Sequence, residues 1–122
     1  MKLVFIVGLG GGMGSMLRYG MQIFVSRHVP ILFPWGTFLV NCSGCFLIGV
    51  LYALSARYSW LTVEWRMFMI AGLCGGYTTF SSFSYESISL FRQGAYSYFL
   101  MYTVLSVILG LLATVAGVAI FK

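Results

Sequence analysis

The sequence predicts an all-α integral membrane protein with four membrane-spanning helices per subunit. Composition is the first indication: 61% of the 122 residues are hydrophobic and 7% are charged, whereas soluble domains carry about a quarter charged residues. The second is a set of four apolar stretches, each long enough for the roughly 20 residues that a helix needs to cross the hydrocarbon core. They cover residues 3–26, 35–56, 65–91 and 95–121. Because these stretches use nearly the whole chain, we expect a single transmembrane domain over residues 1–122.

The basic residues are divided almost evenly between the two sides of the predicted membrane. An excess of Lys and Arg on one side normally sets the orientation of a membrane protein, and four against three is almost no excess. Either small numbers leave a weak preference, or the chain inserts both ways up and pairs as an antiparallel, dual-topology homodimer. The very short loops favour the second interpretation. The two groups are Lys2, Arg57, Arg66 and Lys122, and Arg18, Arg27 and Arg92.

The net charge of +5 comes from these scattered residues. Nucleic-acid binding normally relies on a basic cluster or patch, and the sequence has none. It therefore does not indicate a nucleic-acid partner.

The first span is rich in glycine. Gly8 and Gly12, like Gly10 and Gly14, are four residues apart and share a helical face. Small residues let membrane helices approach closely, so we interpret both pairs as packing surfaces rather than as a phosphate-binding loop. Arg18 is either an interfacial side chain that reaches towards the headgroups or a source of positive potential at an anion entrance.

The second span is separated from the first by Pro30 and Pro34, because proline ends one helix and begins the next. Asn41 then lies well inside the membrane, where an unpaired amide is costly. It either joins two helices or donates a hydrogen bond to a permeating anion. Cys42 and Cys45 lie in the same lipid-buried helix, where thiolate and metal chemistry have little access, so we expect inert core thiols.

The most informative stretch covers residues 75–87, a glycine pair followed by a dense run of hydroxyls. Each glycine weakens a helix by roughly 1 kcal/mol relative to alanine, so Gly75-Gly76 predicts that the third helix is broken in the middle of the membrane. Irregular backbone there is tolerated where it lines a cavity, and broken helices often hold ions. After the break, Phe80 and Phe83 fall on one helical face.

The fourth span carries a small or polar residue at every fourth position. This stripe suits helix packing, and its tyrosine and serine one turn apart also suit the wall of a pathway. The stripe consists of Tyr98, Tyr102, Ser106, Gly110 and Thr114.

The polar side chains predicted inside the membrane are mostly neutral hydrogen-bond donors. Such a lining suits a small anion whose hydration shell must be replaced, whereas cation pathways use carbonyls or carboxylate rings. Phe80 and Phe83 either fill a core or meet the anion with their positive ring edges. No Ser-His-Asp set and no metal-binding cluster is visible, so we predict no enzyme activity. The donors are Asn41, Thr79, Ser81, Ser82, Ser84, Tyr102 and Ser106.

Three motifs together resemble the Fluc (CrcB-like) fluoride channels. They are Gly-Gly-Met-Gly-Ser-Met-Leu-Arg-Tyr at 11–19, Gly-Thr-Phe-Leu-Val-Asn at 36–41 and Gly-Gly-Tyr-Thr-Thr-Phe-Ser-Ser-Phe-Ser at 75–84. The resemblance extends over the whole chain in size and number of spans. It implies an antiparallel dual-topology homodimer in the bacterial inner membrane, in contact with lipid and containing two fluoride pores. Passive fluoride efflux through these pores would lower the cytoplasmic fluoride concentration.

The resemblance also implies roles for individual residues. The two phenylalanines and the asparagine would line the pore, and the hydroxyls of the broken helix would form a polar track with Tyr102 and Ser106. A structural sodium ion at the dimer interface would be held by the backbone carbonyls of Gly75 and Thr78 from both subunits.

Two other functions stay open on the residues alone. A small proton-coupled multidrug exporter also has four spans and often a dual topology, but it needs a titratable carboxylate in the membrane. Glu86, near the end of the third span, is the one acidic residue available. In a non-transporting assembly subunit, the polar stripes would only join helices.

Overall fold

The computed structural model describes residues 1–29 and 32–121, and within these ranges the regular structure is entirely helical. Pro30 and Lys122, counted above as a helix stop and a basic residue, lie outside the described residues. We number the helices in chain order and treat three consecutive helical segments as one. The helices are α1 (Lys2–His28), α2 (Trp35–Arg57), α3 (Val63–Arg66, Met67–Cys74 and Gly75–Tyr77), α4 (Phe80–Arg92) and α5 (Tyr96–Ile120).

Three of these helices, α1, α2 and α5, are long and apolar enough to cross a membrane. Their ends agree within two residues with the first, second and fourth predicted spans. Helix α2 begins directly after Pro34, as expected for a residue that cannot continue a preceding helix. The third predicted span is divided between α3 and α4.

The break between α3 and α4 lies at Thr78 and Thr79, so its predicted position at the glycine pair was wrong. Gly75 has helical angles (φ −63°, ψ −38°), whereas Thr78 (φ −81°, ψ 158°) and Thr79 (φ −150°, ψ 121°) are extended. The side chain of Asn41 in α2 holds the extended backbone by two hydrogen bonds to Thr79. Helix α3 therefore ends where this contact with a neighbouring helix holds the backbone, beyond the glycine pair.

Helices α1 and α3 meet backbone to backbone along four glycines, which we call the glycine interface: Gly10 and Gly14 of α1, and Gly72 and Gly76 of α3. A Cβ atom added at Gly14 would overlap the carbonyl oxygen of Leu73. One added at Gly10 would overlap a carbonyl of α3, and one at Gly76 a carbonyl of α1. The Gly10/Gly14 pair is therefore confirmed as a packing surface.

The other predicted pair, Gly8 and Gly12, does not pack against another helix of the same subunit. A Cβ atom added at either position meets nothing within 4 Å. The same spacing thus occurs on a packed face and on an open face of α1 within the subunit, and packing at the second pair stays a prediction.

Helices α2 and α5 also pack through glycines, and they support the N-terminal half of α4. A Cβ atom at Gly49 would overlap a backbone carbonyl of α5, and one at Gly117 a carbonyl of α2. Towards the N-terminal ends of α2 and α5, Phe33, Phe38, Leu90 and Tyr102 form a buried cluster, and Phe83 packs against it. Through Phe83, the beginning of α4 is held against α2 and α5, close to the break.

Candidate functional site

A cavity of about 310 Å³ lies beside the break, between α2, the start of α4 and α5. It contains Phe80, which is 78% exposed, so the cavity is open to the surface of the subunit. Six of the residues selected from the sequence meet there, together with apolar neighbours and a cysteine. The lining consists of Asn41, Gly44, Cys45, Ile48, Thr78, Thr79, Phe80, Phe83, Ser106 and Val107.

Asn41 bridges the break by pairing with the backbone of Thr79. Its Oδ1 accepts from the Thr79 amide at 2.8 Å, and its Nδ2 donates to the Thr79 carbonyl at 2.9 Å. The amide group has two N–H donors, so these bonds leave one N–H for another partner. Asn41 is therefore a joint between α2 and the broken segment, with one donor left beside the cavity.

Thr79 is also the N-cap of α4. Its Oγ1 accepts a hydrogen bond from the amide of Ser82 at 3.2 Å, which satisfies one of the free donors at the start of a helix. The first turn of α4 carries Phe80 and Phe83. It is positioned by the side chain of Thr79, whose backbone is held in turn by Asn41. The ring centroids of Phe80 and Phe83 lie 5.8 Å apart, which confirms that the two residues share one face.

Ser106 contributes a hydroxyl that has no partner among the described residues. Its Oγ is buried, although the residue lines the cavity. An unpaired buried hydroxyl is unfavourable by about 1–3 kcal/mol. Ser106 therefore has a hydroxyl donor that no described residue uses, on a residue that lines the cavity.

The remaining predicted donors lie elsewhere. Ser81 and Ser84 are exposed, Ser82 is half-buried, and Tyr102 is fully buried. None of the four lines the cavity of about 310 Å³. Tyr102 remains close to it because its ring packs on Phe83, with centroids 5.1 Å apart.

Arg18 lies against the end of α3 and does not line this cavity. Its Nε donates to the carbonyl of Gly76 at 3.2 Å, and Ser15 Oγ donates to the same oxygen at 3.5 Å. In an uninterrupted helix, that carbonyl would accept from Phe80, which lies beyond the break. A cation at a helix C-terminus also interacts favourably with the helix dipole. Arg18 thus replaces the hydrogen bond that the break removes.

Three further carbonyls, those of Gly75, Tyr77 and Thr78, lose their helical donors at the break. The amide of Thr79, four residues after Gly75, bonds to Asn41, and the amide of Ser82, four residues after Thr78, bonds to the Thr79 side chain. Carbonyls of unwound segments and those at the C-terminal ends of broken membrane helices are suitable ligands for Na⁺. The chemistry of Gly75 and Thr78 therefore fits the predicted cation ligands.

The cysteines differ in their surroundings. Cys42 packs against the cluster that contains Tyr102, and Cys74 is 1% exposed within a second cluster. Cys45, in contrast, lines the cavity. The expectation of inert core thiols, made for Cys42 and Cys45, thus agrees with the packing of Cys42 and stays a prediction for Cys45.

A group centred on Glu86 was not found from the sequence. Tyr102 Oη donates to Glu86 Oε1 at 2.9 Å, and Thr37 Oγ1 donates to Oε2 at 3.0 Å. Gln22 Nε2 donates to Thr37 Oγ1 at 3.3 Å. The sequence contains one indication of this group, because Thr37 lies one helical turn before Asn41 and shares its helical face. The residues of other helices that Thr37 contacts depend on how those helices pack.

The family model described as CrcB-like protein, Camphor Resistance (CrcB), matches residues 5–118. The chain belongs to this family. Among curated proteins, it is 47% identical over 118 residues to the fluoride-specific ion channel FluC of Phocaeicola vulgatus, covering 97% of each chain. It is 48% identical to FluC of Bacteroides fragilis, covering 96% of this chain and 94% of the relative. FluC of Flavobacterium psychrophilum is 43% identical over the whole chain and 98% of its own length.

These bacterial relatives and the three apolar helices identify the chain as a multi-pass protein of the bacterial inner membrane.

Proposed function

We propose that the chain is the subunit of a fluoride channel that gives passive fluoride efflux and lowers cytoplasmic fluoride. The observation that carries the proposal is the cavity beside the break, where neutral donors and two phenylalanines meet. Its close relatives are fluoride-specific ion channels. The proposal assigns no catalytic step to the chain.

The lining of the cavity suits a small, strongly hydrated anion. Asn41 has an unused N–H, and Ser106 has an unpartnered hydroxyl. Such donors replace water around an anion, while the positive edges of Phe80 and Phe83 add a favourable field without a fixed charge. A carboxylate would repel the anion, and the residues that line this cavity include none.

We further propose that α3 and α4 together make one membrane crossing, which completes a single four-span domain. Helix α4 has 13 residues, about 20 Å at 1.5 Å per residue, and is too short for a hydrocarbon core of about 30 Å. The break then lies near mid-membrane. Arg18 partners its Gly76 carbonyl and Asn41 partners the backbone of Thr79, since irregular backbone in a membrane needs hydrogen-bond partners.

The pathway is completed by a second, antiparallel copy of the chain. Phe80 is a large aromatic side chain with 78% of its surface exposed, beside a cavity that is open on the subunit. A two-fold axis brings the same patch of each subunit together. A partner across the break would close the cavity of each copy and form two pores.

The same axis suits the structural sodium ion. The carbonyls of Gly75 and Thr78 lack their usual helical donors, and Gly75 is exposed on the subunit. Two copies of the break would surround one cation with carbonyl oxygens, which are the ligands that unwound segments offer to Na⁺. The ion would join the two breaks and take no part in fluoride movement.

Fluoride efflux from liposomes tests the function. Purified protein is reconstituted into liposomes that contain potassium fluoride. Valinomycin then carries K⁺ out of the liposomes, and a fluoride electrode measures the fluoride that leaves with it. We expect fast release that needs no proton gradient. Vesicles that retain fluoride as well as protein-free vesicles would contradict the proposal, and exchange of a drug for protons would indicate an exporter.

A further inference from the structure

Four polar side chains from four helices form one hydrogen-bonded chain. It runs from Gln22 of α1 to Thr37 of α2, then to Glu86 of α4 and Tyr102 of α5, with donor–acceptor distances of 3.3, 3.0 and 2.9 Å. Thr37 is 1% exposed and Tyr102 is 0% exposed. Thr37 and Tyr102 are therefore shielded from water, whereas Gln22 and Glu86 are half-buried.

The direction of the protons in this chain follows from the chemistry of its members. An ionised carboxylate only accepts hydrogen bonds, and each hydroxyl has one proton to donate. Thr37 and Tyr102 therefore direct their protons to Glu86, one to each oxygen. The Thr37 oxygen can then accept a hydrogen bond, and the Gln22 amide donates it. An acceptor at position 22 would compete with Glu86 for the Thr37 proton.

This chain lies next to the proposed pathway. Tyr102 packs on Phe83, which lines the cavity of about 310 Å³. Gln22, Thr37 and Glu86 line a second cavity of about 180 Å³. An anion that moves between the two cavities would pass the carboxylate of Glu86. The hydrogen bonds that Thr37 and Tyr102 donate to the two carboxylate oxygens reduce the electrostatic repulsion between Glu86 and the anion.

We propose that Gln22 is a positioning residue for conduction. It acts through Thr37: its N–H holds the Thr37 hydroxyl with the proton towards Glu86, which keeps a donor on each oxygen of that carboxylate. The inference rests on the proposed fluoride channel and adds a residue of α1 that does not line the cavity of about 310 Å³.

Two substitutions of similar size test this role. Gln22→Met keeps the length of the side chain and removes the donor, so we expect fluoride efflux to fall about three- to tenfold, as for the loss of one hydrogen bond. Gln22→Glu keeps the shape and offers an acceptor that draws the Thr37 proton away from Glu86. We expect a larger loss at neutral pH, to the level of protein-free vesicles.

The pH profile of Gln22→Glu separates positioning from packing. A protonated carboxyl at position 22 has an O–H donor again, so its efflux relative to wild type should recover as the pH falls. Protein-free vesicles at each pH correct for hydrogen fluoride that crosses the lipid. Within the described residues that line the second cavity, Glu86 is the one titratable group, and the wild-type profile accounts for it.

Ser55→Ala is the control. The Ser55 hydroxyl donates to the Leu51 carbonyl of its own helix α2, and Ser55 lines neither cavity, so efflux should match the wild type. Wild-type efflux in Gln22→Met and Gln22→Glu, or a loss in Gln22→Glu that is independent of pH, would overturn the inference. In both cases the wild type still conducts, whereas a wild type that does not conduct would reject the proposed function.

Discussion

Two interfaces in this molecule join helices in opposite ways. At the glycine interface, α1 and α3 meet backbone to backbone, and a Cβ atom at Gly10 or Gly14 would overlap a carbonyl oxygen. At the second, which we call the polar interface, side chains of α2, α4 and α5 meet through hydrogen bonds, with Asn41 and Glu86 at its centre. The first interface has no spare room. The second borders a cavity of about 310 Å³.

The comparison indicates a division of roles. Without a hydrophobic driving force in lipid, helices associate by close packing or by hydrogen bonds. Close packing of glycines gives a rigid contact that cannot change without separating the helices. Polar side chains join helices too, but their spare donors remain available to an ion. We therefore expect substitutions at the glycine interface to affect folding, and those at the polar interface to affect conduction first.

The largest expected effect is at the glycine interface. In Gly14→Ala, the added methyl group overlaps the backbone of α3, and we expect the free energy of unfolding to fall by about 3 kcal/mol or more, at the upper end for overpacking. Gly12→Ala is the matched control because nothing lies within 4 Å of its Cβ. Thermal unfolding in detergent, followed by size-exclusion chromatography, measures both. Equal stability of the two variants would show that the interface is not rigid.

The next effect is at Asn41. In Asn41→Asp, the side chain loses the donor to the Thr79 carbonyl and places a negative charge beside the cavity. We expect fluoride efflux from liposomes to fall to the protein-free level. Asn41→Ser, which has a donor but no charge, should retain part of the efflux. Robust efflux in Asn41→Asp would show that Asn41 does not line the pathway.

The phenylalanines should separate conduction from stability. Phe80→Ile and Phe83→Ile both remove an aromatic edge, so each should reduce efflux about tenfold or more while the proposed dimer persists. Phe83 packs on Tyr102, and its replacement should also lower stability by about 1 kcal/mol. Phe80 is 78% exposed on the subunit. Unchanged efflux in both variants would reject the aromatic role.

The smallest effect is expected at Ser106, where the free energy of unfolding should rise and fluoride efflux should fall. Ser106→Ala removes a buried hydroxyl that has no partner in the described part of the chain. Its removal should raise the free energy of unfolding by about 1 kcal/mol, while efflux falls a few-fold because a donor is lost. Thr103→Ala on the same helix is the control, since its hydroxyl donates to the Phe99 carbonyl of α5. A loss of both stability and efflux would assign Ser106 to packing alone.

Much of the site was accessible from the sequence because it depends on neighbours along one helix. Phe80 and Phe83 are three residues apart, so their common face follows from helical geometry. Asn41 stands out because an amide in lipid needs a partner. The identity of that partner, the backbone of Thr79, was not predictable, because it lies 38 residues away on another segment.

The features that the sequence did not decide share a physical reason. Gly8/Gly12 and Gly10/Gly14 have the same spacing, and nothing local distinguishes the face that meets α3 from the face that does not. Glu86 was considered as an isolated acid near the end of a span. Its partners Thr37 and Tyr102 lie on two other helices, and the contact exists once those helices are packed.

The sequence by itself determined that the chain lives in a membrane, where its long helices begin and end, and which motifs it shares with its family. Those properties depend on apolar length, proline positions and local helical geometry, since each helix satisfies its own backbone hydrogen bonds. The tertiary structure decided where α3 breaks, which glycines pack, and which donors reach the cavity. Each of these depends on atoms that distant segments bring within hydrogen-bonding or van der Waals contact.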